Sequence, residues 1–190
     1  MRYSKVILML TLALSALSVQ AADSSKAGGA MAMPAMGAPA EMKQVAFMIG
    51  DWDASMKFNM GDTTKWTETK STSTVTPVLD GAALMSTFSG LMMGMPFKGI
   101  GYTCFSRETG KWQMSWLDNM GAAMSLYTGT MKDGKLVVSG EDMYQGKPML
   151  SKLTYFNMSD SKYDWLMEIS MDGGKTYMPS MRATYTKVKK

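Results

Sequence analysis

Two groups of methionines have spacings that could do chemistry, Met31-x-Met33-x-x-Met36 and Met92-Met93-x-Met95. Thioethers are soft ligands suited to Cu(I) or Ag(I), so Met31, Met33 and Met36 form a candidate metal site. These three lie in a segment with no core to fill, which gives them no packing role. Most of the 24 Met among 190 residues fall instead at strand positions, where they read as flexible substitutes for Leu and Ile in a deformable core. Other familiar chemistry is closed. The chain has no His and one Cys, Cys104, which excludes Ser-His-Asp and Cys-His catalysis, His-ligated zinc or haem, and any internal disulfide.

A second set of residues could orient an organic ligand. Trp116-Leu117-Asp118-Asn119 ends a strand, and Tyr102, Tyr127 and Glu68 lie on strands that a barrel would bring near. Trp112, Met114 and Trp116 share one strand face and, with Met124, Trp165 and Met167, either line an adaptable apolar cavity or simply fill the interior. Tyr102, Trp112, Met114, Trp116, Asp118 and Tyr127 are therefore the candidate ligand-binding residues. Asp118-Asn119 before Met120-Gly121 is also an ordinary turn composition, because these side chains bond to the local backbone. Paired carboxylates such as Glu141-Asp142, or Asp51 with Asp53, would need a geometry that strand spacing does not establish, so a non-catalytic role without a cofactor is expected. Cys104 lies in a packed-looking strand without a neighbouring base and reads as a buried, inert thiol.

The elements that must position these residues are strands. From Asp51 the apolar period is two, with Trp52, Ala54, Met56, Phe58 and Met60 on one face and Asp53, Ser55, Lys57 and Asn59 on the other. Turn signals recur at Gly61-Asp62, Asp80-Gly81, Gly94-Met95-Pro96, Glu108-Thr109-Gly110, Asn119-Met120-Gly121, Asp133-Gly134, Gln145-Gly146, Ser159-Asp160 and Asp172-Gly173-Gly174. They separate ten candidate strands with no room for a crossover helix, so neighbours should be antiparallel. The later strands are expected at residues 111–118, 122–131, 135–144, 148–157, 162–171 and 175–187. Pairing the first strand with the last removes both exposed edges, which predicts an all-β, up-and-down meander barrel of about ten strands. Ahead of it, Met42, Val45, Ala46, Phe47 and Met48 allow a short helix, which Gly50 would end.

The segment before the barrel has a different character. Arg2 and Lys5 precede an uncharged apolar run over residues 6–19, followed by Val19-Gln20-Ala21, the layout of a secretory signal peptide cut after Ala21. The run is shorter than a membrane-spanning helix needs, so no stable membrane insertion is expected. Residues 22–40 mix Ala, Gly, Met and Pro without a sustained period and read as a flexible leader, leaving 41–190 for one barrel domain. Loss of Arg2 and Lys5 would leave 18 basic and 16 acidic side chains. The lysines are scattered and only Arg107 and Arg182 remain as arginines, which argues against a nucleic-acid surface.

Gly50-Asp51-Trp52, at the start of the first strand, resembles the Gly-x-Trp opening of lipocalins and related barrels. That resemblance implies a Trp52 under the barrel floor, packed against an Arg from the last strand, the role that falls to Arg182. A longer set of features is similar to a bacterial family of exported or cytosolic proteins known as domain of unknown function fifteen seventy-nine. The matching residues are Phe47-Met48-Ile49-Gly50-Asp51-Trp52, Gly99-Ile100-Gly101-Tyr102, Thr109-Gly110-Lys111-Trp112, Trp116-Leu117-Asp118-Asn119-Met120-Gly121, Tyr127-Thr128-Gly129-Thr130 and Tyr185-Thr186-Lys187. The family implies a lipocalin-like barrel and brings no established activity. Together these readings predict a periplasmic or secreted protein that binds a small apolar or amphipathic ligand without catalysis, with Cu(I) or Ag(I) capture by Met thioethers as the alternative.

Overall fold

A computed structural model describes residues 36–59, 61 and 64–189. The signal-peptide reading, most of the leader with Met31 and Met33, and Met60 lie outside the described residues. A 3-10 helix at Ala40–Met48 precedes ten strands. They are β1 (Gly50–Phe58), β2 (Thr67–Val78), β3 (Ala83–Met92), β4 (Met95–Ser106), β5 (Lys111–Asp118), β6 (Ser125–Lys132), β7 (Lys135–Tyr144), β8 (Lys147–Phe156), β9 (Lys162–Ser170) and β10 (Met178–Lys187). Each strand pairs antiparallel with its sequence neighbour, and β1 pairs with β10 to close the barrel.

Local chemistry accounts for the meander. Met93-Gly94, Asp133-Gly134 and Gln145-Gly146 are two-residue connections with positive φ at both positions, the turn geometry whose twist matches paired antiparallel strands. Seven of the nine expected turns fall wholly between strands; Gly94-Met95-Pro96 overlaps β4, whose turn is Met93-Gly94, and Asp62 of the first lies outside the described residues. Two strand starts are later than the periodicity suggests, because side chains hold the preceding loops. Asp118 Oδ1 accepts the N–H groups of Met120 and Gly121, and its carbonyl accepts that of Ala122, so β6 begins at Ser125 rather than 122. Asp172 accepts from the Thr176 N–H and hydroxyl and from the Ser170 hydroxyl, which keeps residues 171–177 in a compact loop and delays β10 to Met178. These donors hold the exposed Asp172 carboxyl down at about 2.

One end of the barrel is plugged. The buried residues of the 3-10 helix, Met42, Val45 and Met48, recur every three positions, which stacks them along one side of a helix with three residues per turn. They pack on Trp52, which is 1% exposed and donates its indole N–H to the Met48 carbonyl at 2.7 Å. Tyr163 meets Trp52 edge to face at 4.8 Å, and Phe47 meets Tyr163 at 5.4 Å. Trp112, Leu136 and Val138 complete this floor, all with essentially no exposure.

The cation beside Trp52 is Lys187, not Arg182. In the closing ladder Trp52 pairs with Lys187 and Lys57 pairs with Arg182, so Arg182 is an odd number of residues away from the floor position and faces outward. Its guanidinium lies 4.3 Å from the Trp66 ring centroid, while Lys187 Nζ lies 5.1 Å from that of Trp52. Gly50 has φ +134°, and a Cβ there would come within 2.6 Å of the Lys187 Cε. The glycine of the Gly-x-Trp opening is thus required both by its backbone and by the Lys187 stem that crosses it.

This arrangement predicts that Trp52→Ala destabilises the barrel by about 3–5 kcal/mol, the usual cost of deleting a large buried aromatic. Double-mutant cycles in chemical denaturation should couple Trp52 to Lys187 by about 0.5–1 kcal/mol and leave Trp52 and Arg182 additive. Coupling to Arg182 in place of Lys187 would contradict the register.

Candidate functional site

The floor occupies one end of the barrel, and above it the interior is hollow. A cavity of about 870 Å³ lies between the floor and the opposite end, within the size range of small-molecule sites. Its walls are aromatic and thioether surfaces. Phe88, Phe97 and Trp116 form one wall, with Phe97 and Trp116 stacked at 6.4 Å and Phe88 edge-on to both. Trp165, Met167, Met181 and Tyr185 line the side built by β9 and β10.

Trp116 is held from three directions. Its indole lies over Gly99 of β4, where a Cβ would overlap the six-membered ring, and against Gly101. Its N–H donates to Asp118 Oδ2 at 3.0 Å, while Asp118 Oδ1 takes the two backbone donors of the β5–β6 loop at 2.9 Å. Asp118 is therefore both a turn residue and the anchor of a cavity tryptophan. Spacing alone presented these as competing readings.

Of the six candidate ligand-binding residues, Met114, Trp116, Asp118 and Tyr127 line the cavity. Trp112 does not. It lies deeper on β5, edge to face with Phe105 at 5.3 Å, and belongs to the floor. Tyr102 borders the cavity, but it alternates with the buried Gly101 and Thr103 and is 44% exposed, so its ring belongs to the outer face and its backbone to the wall. Glu68 is also on the outer face, where the Ser55 hydroxyl donates to it at 2.7 Å and Lys57 pairs with it at 3.1 Å. Cys104 is half-buried between the inward Thr103 and Phe105, and its thiol lies 3.9 Å from Gln113 Oε1. Burial pushes the Cys104 thiol up, which favours the protonated, unreactive form. Met36 is 88% exposed. Among the described residues no cluster of three or more His, Cys, Asp or Glu side chains could hold a metal ion.

Several cavity residues were not singled out from the sequence. Tyr155, Tyr163 and Tyr185 bring phenols to the deep end, with Tyr163 and Tyr185 stacked at 4.5 Å and 12°. Alternation along β9 and β10 was the available signal, since Tyr163, Trp165 and Met167 share a face, as do Met181, Ala183 and Tyr185. Burial raises all three phenols well above the usual tyrosine range, with neighbouring tyrosines adding to the effect. Tyr127, nearer the mouth, is raised by burial and by the charges of Asp142 and Asp118.

The mouth has one uneven side. β6 pairs with β7 only from Thr128↔Ser139 to Lys132↔Lys135, while β7 and β8 continue as a two-stranded hairpin to Tyr144↔Lys147. The cavity is bounded there by Met120, Gly121, Ala123 and Met124 of the β5–β6 loop and by the stretch from Glu141 to Tyr144 of the hairpin. Of the hairpin's two acidic residues, Asp142 continues the inward parity of Leu136 and Val138 and lies opposite the cavity residue Met149, whereas Glu141 is exposed and lies opposite Leu150 on the outer face. The Tyr127 hydroxyl spans the opening toward Asp142 Oδ2 at 3.5 Å.

The raised phenols set an alkaline limit on stability. In the unfolded chain tyrosine ionises near pH 10, so above that pH the unfolded state loses protons that the folded state keeps. The denaturation midpoint should stay level from about pH 6 to about pH 10 and fall as pH rises beyond it. Part of the tyrosinate absorbance should appear only together with unfolding. Complete tyrosine ionisation in the still-folded protein would contradict the burial of these rings.

Comparison with known proteins adds the fold context. Curated proteins give no match. The chain is similar to the crystal structure of Rv2717c from M. tuberculosis, with 10% identity and a TM-score of 0.56 over 80% of this chain and 99% of that one. It is also similar to the S-type phycobiliprotein lyase CPES from Guillardia theta, with 13% identity and a TM-score of 0.52 over 78% of this chain and 91% of that one. At such identities the likeness concerns the fold alone. A family model described as protein of unknown function, DUF1579, matches residues 38–187, a span that holds all ten strands, and the chain belongs to that family.

Proposed function

We propose that this protein binds a small apolar or amphipathic molecule, without catalysis, after export to the periplasm. The observation that supports binding most directly is the cavity of about 870 Å³, floored by the 3-10 helix and Trp52 and walled by Phe, Trp, Tyr and Met side chains. Such a surface offers burial of apolar area, worth about 25 cal/mol per Å², and only a few polar groups to fix orientation. Met side chains adapt to different ligand shapes because they are unbranched and polarizable. Export rests on the signal-peptide pattern of residues 1–21.

The binding reading predicts that the folded protein takes up an uncharged, environment-sensitive apolar probe and that a lipid extract displaces it. Trp116 and Trp165 line the cavity, so the probe should quench their emission, and Trp116→Phe should remove part of that quenching. Ser86→Phe, which places a ring in the cavity, should abolish uptake while the protein stays folded. Failure to take up any of a panel of fatty alcohols, isoprenoids and uncharged aromatic probes would refute ligand binding.

A second reading, thioether capture of Cu(I) or Ag(I), is favoured by one feature of the mouth. Met92, Met93 and Met95 share the β3–β4 turn, Met92 pairs with Met95, and Met93 and Met95 are about half exposed. A thioether has no proton to lose, so uptake at this turn should be nearly independent of pH from about 4 to 8. Replacing all three by Leu should remove one Cu(I) equivalent in competition with a chromogenic chelator. Deleting residues 22–40 should remove another if Met31, Met33 and Met36 also bind. Unchanged Cu(I) uptake in both variants would return these methionines to a packing role.

A further inference from the structure

The charge of the cavity is one-sided. Asp118, Glu141 and Asp142 line it, and no Lys or Arg among the described residues does. This bias is local, since basic side chains outnumber acidic ones in the whole chain. Asp118 already accepts three hydrogen bonds within the protein, from the Trp116 indole and two backbone donors. Asp142 is different. It makes no ion pair among the described residues, and its one hydrogen bond is the long contact from Tyr127. It stands on the inward face of β7 where the β6–β7 ladder has ended and the cavity meets solvent, with its neighbour Glu141 on the outer face.

An anionic headgroup at this opening would meet the inward carboxylates of Asp118 and Asp142 and no cation. Like charges brought together in a partly desolvated site cost free energy, whereas a cation there would gain a carboxylate partner in Asp142. The deep end offers no compensating cation either. Its polar groups are the phenols of Tyr155, Tyr163 and Tyr185 and the hydroxyl of Ser73, which donates to the Thr87 carbonyl. Neutral phenols can serve an uncharged polar group but cannot neutralise a carboxylate.

We infer that the cavity selects its ligand by charge, taking molecules with an apolar body and a cationic or neutral polar end that sits at Asp142, and rejecting anionic amphiphiles such as fatty acids. The inference rests on the binding reading above and narrows it to a ligand class. The hydrophobic contribution is the same for equal alkyl chains, so a series matched in chain length isolates the effect of the headgroup.

The test uses dodecyltrimethylammonium, dodecanol and dodecanoate at concentrations below micelle formation, followed by Trp emission and by calorimetry with the full mature chain. The cation and the alcohol should bind, with dodecanoate at least about tenfold weaker than the cation, as expected for two partly screened carboxylates. Asp142→Asn, close in shape to the parent, should shrink the gap between cation and anion severalfold. Asp142→Lys should go further and favour dodecanoate. Dodecanoate binding as tightly as the cation in the parent, or a gap unchanged in D142N, would overturn charge selection while leaving the cavity a binding site. Absence of binding by all three would overturn the binding reading itself.

Discussion

The pairing of β1 with β10 is the constraint on which the rest depends. Seven residue pairs, from Trp52↔Lys187 to Phe58↔Met181, turn an open meander into a closed wall in which every strand has a neighbour on both sides. A slip of one residue would send Trp52, Ala54, Met56 and Phe58 to solvent. With the register as it is, Trp52 points inward at the end where the 3-10 helix enters, and its indole N–H finds the Met48 carbonyl. A buried indole needs a partner for that N–H, so the helix and the first strand are fixed together. Lys187, brought opposite Trp52 by the same ladder, lays its stem over Gly50 and its ammonium toward the indole.

Closure and a single plug produce an asymmetric interior. Near the helix, Trp112, Leu136, Val138 and Val45 are packed to near-zero exposure. Farther along, the inward positions include small residues such as Ser73, Ser86 and Gly101, and the space they leave is the cavity. The aromatic wall is stiff because each ring is supported. Gly99 lets Trp116 lie against β4, and Asp118 holds its N–H. The methionines at the opposite wall and at the mouth are the compliant part. Exposed Met93, Met95, Met120, Met124, Met143, Met171 and Met178 all lie in strand ends or loops at the open end. There their flexibility serves an opening rather than a core.

The charge pattern of the mouth arises from topology rather than composition. Glu141 and Asp142 are neighbours on one strand, which normally places them on opposite faces of the wall. Asp142 keeps the inward parity and meets the Tyr127 hydroxyl, while Glu141 stays on the outer face. Because β6 leaves the ladder at Thr128 and the β7–β8 hairpin runs on without it, Asp142 stands open at the rim, and with Asp118 from β5 it gives an otherwise apolar cavity its acidic side.

The sequence by itself determined the architecture, for reasons that are local. Period-two patterning, nine turn signals and the shortness of every connection admit antiparallel neighbours only, and avoidance of free edges implies closure. It also supplied four of the six cavity candidates, Met114, Trp116, Asp118 and Tyr127, because alternation along a strand shows which residues share a face. What it could not supply is the relation between strands far apart in the chain. Arg182 and Lys187 are both cations of the last strand, and only the β1–β10 register decides which of them meets Trp52. Trp112 and Trp116 share a face of β5, and only the depth of the plug decides that the first is floor and the second wall. Tyr102 was assigned to the ligand set without regard to the parity set by Gly101 and Thr103. Whether the barrel is filled or hollow was equally beyond a linear reading, because it depends on the summed volumes of side chains from ten strands meeting in one space.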